Sequence, residues 1–289
     1  MRVIVTGANG QLGMDVCAAF AKNHDVQALS HEQLEITDTA QVERFFDSIR
    51  PQCVINTAAM HHVEKCEADP VQSYLVNAAG TKNLAEACAR HDIQLIHIST
   101  DYVFDGAKKA PYLESDAPMP LNVYGNTKLS GEYYALTTWN KSSVVRVSGI
   151  YGTHPCRAKG GLNFVRLMLK LAQKRPQLRV VDDEILTPTP TAAIAEQLLR
   201  IAEAKAFGLF HATCHGQCSW YAFAERIFEI AGVKTDLQKS ALGEFPAKVA
   251  RPSYSVLENA RLKLLGIDCM PHWEDGLKGY LAAIETIET

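Results

Sequence analysis

The sequence predicts an α/β fold, a doubly wound parallel sheet followed by a smaller C-terminal α/β lobe. Three observations carry this. Short apolar runs rich in β-branched residues alternate with helical stretches over the first 150 residues, a glycine-rich turn follows the first run, and the pattern changes after Tyr151. The runs are Arg2–Thr6, Asp25–Leu29, Cys53–Thr57, Ile93–Ile98 and Ser143–Val147. Between them Val42, Phe45, Phe46 and Ile49 mark one helical face, and Leu75, Ala78, Ala79, Leu84, Ala87 and Cys88 a longer buried one.

Beyond Tyr151 come a loop with Pro155, Gly160 and Gly161, then a helix through Phe164, Leu167, Met168 and Leu171. A strand at Leu178–Val181 and a helix from Ile194 to Ile201 are expected to rejoin the sheet. Residues 1–150 are thus read as the nucleotide-binding domain, rejoined by about 176–204, with 151–175 and 205–289 as the smaller lobe. That lobe holds a helix from Ser219 to Ala231 and a last helix after Trp273.

The chain has 289 residues, is 47% hydrophobic and 21% charged, and carries a net charge of -3. These values are those of a globular protein and do not suggest a nucleic-acid partner. No apolar run approaches the roughly 20 residues that span a bilayer, so no membrane association is expected and the expected compartment is the cytoplasm. Eight cysteines without scaffold spacing read as reduced thiols. His211, Cys214, His215 and Cys218 crowd one segment, but without a CxxC pair they read as a strand end, a Gly216 turn and a helix start rather than a zinc site. No metal is expected.

Thr6-Gly7-Ala8-Asn9-Gly10-Gln11-Leu12-Gly13 lies between the first strand and the first helix, where a glycine turn lets backbone amides approach a pyrophosphate. This is the Rossmann-type arrangement, in a GxxGxxG spacing. Gly10 is expected to keep the pyrophosphate path open and to favour a left-handed backbone. Where the second strand ends, Ser30 stands in place of the acidic residue that grips an NAD ribose, and no arginine lies between Leu29 and Gln33. NADPH and NADH both remain open. Glu35 and Ile36 are placed to meet the adenine, and Ala58, Ala59 and Met60 follow the third strand where the cofactor passes; Ala58 and Ala59 alone would read as packing.

Tyr124-Gly125-Asn126-Thr127-Lys128 is a YxxxK pair, which a helix brings to one face. A tyrosine has a free pKa of about 10, and a nearby ammonium favours its phenolate, so the pair can relay a proton. By itself YxxxK is more often a solvated helix face. Upstream, the strand through Leu95-Ile96-His97-Ile98-Ser99-Thr100 ends in hydroxyls, and ligands of open α/β sheets gather at such carboxyl ends. Thr100 is then expected to face a reacting carbonyl.

With these motifs, and with Ser99-Thr100-Asp101-Tyr102-Val103-Phe104-Asp105-Gly106, Tyr124 to Glu132, Asn163-Phe164-Val165, Thr187-Pro188-Thr189, Ser219-Trp220-Tyr221 and Arg251-Pro252, the chain closely resembles the dTDP-4-dehydrorhamnose reductase family of extended short-chain dehydrogenases, nearly end to end. The resemblance implies an NADPH- or NADH-dependent oxidoreductase acting on a nucleotide sugar. It implies that Thr100, Tyr124 and Lys128 are catalytic, and that Thr100 and Asp101 meet the sugar. Gly7, Gly10, Gln11, Leu12, Gly13, Ser30, Glu35, Ile36, Ala58, Ala59 and Met60, with Tyr124 and Lys128, would border the cofactor. A homodimer is left open. Many members carry a tryptophan in an Arg-x-x-Trp-x-Tyr stretch where this chain has Gly149. Their Asp-Gln is Asp183-Glu184 here, and Leu186 stands where glycine is frequent; the loop from Gly152 to Gly161 is also longer than in compact members. Two alternatives stay open: an epimerase or dehydratase of the same superfamily, and a non-catalytic subunit like the β subunit of methionine adenosyltransferase.

Overall fold

A computed structural model describes residues 1–155, 160–240, 244 and 248–288. In chain order its main elements are β1 (Arg2–Thr6), α1 (Gln11–Phe20), β2 (Asp25–Leu29), α2 (Thr39–Ile49), β3 (Cys53–Asn56), α3 (Thr81–Arg90), β4 (Gln94–Thr100), α4 (Val123–Thr138) and β5 (Ser142–Val147). There follow α5 (Phe164–Ala172), β6 (Gln177–Val180), α6 (Thr191–Glu203), β7 (Gly208–His211), α7 (Trp220–Ile230), β8 (Asp236–Lys239) and α8 (Trp273–Glu288).

The strand period of two decides the layering. Ile4, Val54, Leu95 and Val144 point to one side and pack with α2 and α3, through Val42, Phe46, Leu84 and Cys88. Their neighbours Val3, Val5, Ile55, Ile96, Ile98 and Val145 point to the other and pack with α1, α6 and the C-terminal helices. All pairs in the six-stranded sheet are parallel, in the order β7-β5-β4-β3-β1-β2. From β1 the chain winds first to β2 and then to the other side at β3. The strand order therefore reverses beside β1, and the crevice outside the carboxyl ends of β1 and β3 is the place where such sheets take ligands.

Two expectations need correction. The strand at Leu178–Val181 does not rejoin the central sheet: β6 pairs in parallel with β8 in a separate two-stranded sheet. The sixth central strand is β7, from the segment expected to belong to the smaller lobe, and Gly208 to His211 run alongside Ser143 to Arg146. Only the helix of the 176–204 segment returns, as α6 packing on α1. Ser219 caps α7 through its side chain rather than forming its first turn. Of the loop from Gly152 to Gly161, residues 156–159, with Cys156, Arg157 and Lys159, lie outside the described residues.

Candidate active site

The turn after β1 is built from main chain. Gly7 has φ +66, and a Cβ there would sit 2.7 Å from the Ala58 nitrogen, so the left-handed glycine of the turn is Gly7, not Gly10. Gly10 is extended, at φ -81, and heads α1 without a side-chain cap. The first N–H groups of α1 thus keep their donor capacity, and among the described residues the only atom a Gly10 Cβ would crowd is the Gly7 carbonyl oxygen at 3.2 Å. Uncapped amides and open space above Gly10 fit a dinucleotide pyrophosphate. Gln11, expected to border the cofactor, donates through Nε2 to the His154 carbonyl at 2.8 Å, which ties the loop after Tyr151 to this turn. Leu12 and Gly13 face inward and are buried.

Ser30 follows β2, and its N–H is taken by the Gln33 Oε1 at 2.9 Å. Glu35 pairs with His31 at 3.0 Å. Ile36 is buried, with its Cγ1 and Cδ1 against Gly80 of the π-helical segment Leu75–Gly80. Ala58, Ala59 and Met60 line the carboxyl end of β3 and stay partly exposed. Asn77, which the sequence reading passed over, brackets the Met60 peptide: its Nδ2 donates to the Met60 carbonyl at 2.9 Å and its Oδ1 accepts from the Met60 N–H at 2.9 Å.

The opposite end is built from side chains. The Asn122 side chain caps α4 by accepting from the Gly125 N–H at 2.8 Å, which starts the helix one residue before Tyr124. Gly125 then lets α4 press on the end of β4, since a Cβ there would lie 2.2 Å from the Tyr102 carbonyl oxygen. Tyr124 is half-buried, edge-on to the Tyr102 ring at 5.8 Å. Burial pushes its phenol above the usual range, opposed by the neighbouring Thr100 hydroxyl. The phenol is therefore protonated at neutral pH, the state a proton donor needs.

Thr100 ends β4, and its Oγ1 donates to the Asp101 Oδ1 at 3.1 Å. Asp101 is buried and also accepts from the Ser148 hydroxyl at 2.8 Å. Burial raises its carboxyl pKa, against hydrogen bonds from Ser255, Ser148 and Thr100. Asp101 thus turns its carboxylate toward these hydroxyls.

Lys128 is 2% exposed and does not reach for the tyrosine in this state. Its Nζ donates to the Ile98 carbonyl at 2.6 Å and lies 3.2 Å from His97 Nε2. Burial brings its pKa down to about 8, while Glu132 one turn on pulls the other way. Glu132 is itself buried against Arg146, at 2.6 and 2.8 Å, and takes a hydrogen bond from the Ser99 hydroxyl. This bidentate pair joins α4 to β5, and the sequence reading did not find it.

The crowded His and Cys segment is spread over separate contacts. The His211 ring is buried at 3.1 Å from both the Tyr112 and Glu258 carbonyls, and His215 faces Asp268 at 3.3 Å. Gly149 has φ +56, and a Cβ there would meet the Leu186 Cδ1 at 2.8 Å. Gly149 and Leu186, two of the departures from the family pattern, are thus neighbours in space.

Residues 1–286 match the family described as RmlD substrate binding domain. The chain belongs to the RmlD family. Among the relatives of this RmlD protein is the spore coat polysaccharide biosynthesis protein SpsK of Bacillus subtilis, 38% identical over 281 residues, which cover 97% of this chain and 96% of that protein. A dTDP-4-dehydrorhamnose reductase structure from Clostridium acetobutylicum superposes with a TM-score of 0.94 at 39% identity, covering 99% of this chain and 100% of that one. The Bacillus anthracis dTDP-4-dehydrorhamnose reductase, solved in complex with NADP, superposes with a TM-score of 0.92 at 36% identity, covering 100% and 99% of the two chains.

Proposed function

We propose that this chain reduces the C4 ketone of dTDP-4-dehydro-L-rhamnose to dTDP-L-rhamnose in the cytoplasm, using NADPH or NADH. The observation that carries the reading is the Tyr124 phenol, kept protonated by burial and set beside Thr100 at the carboxyl end of β4, on the same edge of the sheet as the uncapped glycine turn. Names of relatives at 36% and 39% identity agree with it. Among the described residues no helix is long and apolar enough to cross a membrane.

The turn from Gly7 to Gly13 would hold the pyrophosphate, the segment from Ser30 to Ile36 the adenosine side, and Ala58, Ala59 and Met60 the passage to the nicotinamide. When bound, a reduced nicotinamide supplies the hydride. Tyr124 gives its O–H proton to the developing alkoxide and is left as phenolate, while Thr100 orients the carbonyl and Lys128 holds the ribose and balances the phenolate charge. Asp101 acts through Thr100, and the lobe formed by residues 151–175 and the chain after His211 closes over the sugar.

The test is to incubate the protein with a panel of nucleotide-linked 4-keto sugars and each reduced cofactor. Stoichiometric cofactor oxidation with appearance of the 4-hydroxy sugar is expected, fastest for the dTDP-linked rhamnose precursor. Isomerisation with no net cofactor consumption would replace this reading by an epimerase, and no turnover of any sugar would leave a binding role.

A further inference from the structure

Behind Lys128 lies a polar pair with no part in the assignments above. Asn56 ends β3, His97 is its direct register partner in β4, and both are completely buried. The orientation of the Asn56 amide is fixed, because its Oδ1 accepts from the Ala58 backbone N–H at 3.1 Å and from the Thr6 hydroxyl at 2.8 Å. Its NH2 therefore faces His97, with Nδ2 3.0 Å from the ring Nδ1. An amide NH2 only donates, so Nδ1 must accept, and a neutral imidazole then carries its single proton on Nε2. A second proton is disfavoured, since burial and then Lys128 hold the His97 pKa well below its usual value.

That Nε2 lies 3.2 Å from the Lys128 nitrogen. Facing an ammonium, an Nε2–H sets two donors against each other; facing an amine, it makes a hydrogen bond to the free lone pair. Gly131 makes the approach feasible, because a Cβ there would already be 2.3 Å from the Asn77 carbonyl oxygen and 3.3 Å from His97 Nε2.

We propose that Asn56 and His97 are positioning residues for the reaction, and that by presenting an N–H donor to Lys128 they make its ammonium easier to deprotonate while Ile98 holds the side chain in place. This rests on the reading of Tyr124 and Lys128 as the chemical pair. The other groups around Lys128 are Tyr124 one turn before it and Glu132 one turn after, the latter matched by Arg146 from β5, with the neutral Asn77 and Thr81 packed beside Gly131. A lysine facing an acceptor would keep its proton. One facing an imidazole N–H exchanges it readily, which suits a group beside a tyrosine that must recover a proton each turnover.

Nitrogen-15 spectroscopy of the whole labelled protein, with His97→Gln to assign the ring, reads the tautomer directly. The expected result at neutral pH is a bare Nδ1 and a protonated Nε2; a proton on Nδ1, or on both nitrogens, overturns the proposal. Asn56→Asp replaces the donor by an acceptor and should reverse the tautomer. The limb of the kcat/KM pH profile that disappears in Lys128→Met should then move up by about one unit. A uniform drop in rate with that limb unmoved would mean a purely structural pair, and would overturn the proposal. If Asn56→Asp does not fold, the wild-type spectrum still decides. A loss of the Tyr124 and Lys128 assignment would show instead in the activity of their own variants, whatever the tautomer of His97.

Discussion

Where β1 meets α1 the site is main chain: Gly7 turns left-handed, Gly10 heads the helix without a side-chain cap, and the surface offered to a ligand is N–H groups and empty space. Where β4 meets α4 the site is side chain, with Thr100, Asp101 and Lys128 each engaged by a named partner beside the Tyr124 ring, and mostly removed from water. The first region is harmed by adding atoms and the second by deleting them. The difference follows from what each must do: a pyrophosphate needs donors and room, whereas a proton must be held at one oxygen with a set affinity.

The largest expected effect is at the side-chain end. Tyr124→Phe removes one oxygen and keeps the ring against Tyr102, so folding should survive while kcat falls by about 10²–10⁴-fold. A variant that keeps more than half its rate would remove Tyr124 as the proton donor.

Lys128 offers a thermodynamic counterpart. Its folded pKa of about 8 lies below the usual 10.5, so between these values the unfolded chain binds more protons and stability should rise with pH. Compared by urea unfolding with Lys128→Met, the wild type should gain up to about 1.4 kcal/mol per pH unit across that window. A pH-independent difference would mean that the ammonium is not desolvated.

At the main-chain end, Gly10→Val should fold, since Gly10 is extended and among the described residues a Cβ meets only the Gly7 carbonyl oxygen. Cofactor affinity, read by titration, should nevertheless drop more than about tenfold, or 1.4 kcal/mol. Undiminished binding would place the pyrophosphate elsewhere.

The smallest change is expected at Ser30. We predict use of both cofactors with a modest NADPH preference, and Ser30→Asp should reverse it by adding a carboxylate that accepts from a ribose diol and repels a 2′-phosphate. An unchanged ratio of kcat/KM values would mean that residue 30 does not face the adenine ribose.

The regularity of the βαβ units made much of this legible in advance. β1 and β2 begin and end where their apolar runs do, because each strand is local and bounded by turn chemistry. Leu178–Val181 was also recognisable as a strand, but its partner was not: an apolar run carries no address, and only the folded chain shows that it pairs with Asp236–Lys239. The strand end at His211 was likewise legible, but not that it belongs to β7 on the edge of the central sheet beside Ser143 to Arg146. Thr100, Tyr124 and Lys128 stood out because their spacing is tied to elements, whereas Asn56 and His97 meet only across strands and Asn77 meets Met60 only where a helical segment folds back on the end of β3. A lone histidine within an apolar run gives no local sign of what it will face.

Gly149 and Leu186 lead to a point about order. The Leu186 methyl fills the volume a side chain at 149 would need, and the backbone of 149 has settled into a conformation that side chains resist. Neither position can be altered in isolation without meeting the other. A bulky residue can enter at 149 only after 186 has been emptied and the main chain at Thr187 and Pro188, 2.9 and 3.2 Å from a Cβ there, has shifted, and emptying 186 first leaves a hollow. Each half of the exchange is worse than either end. A survey that changes one residue at a time would therefore find both positions intolerant and miss that they are coupled to each other.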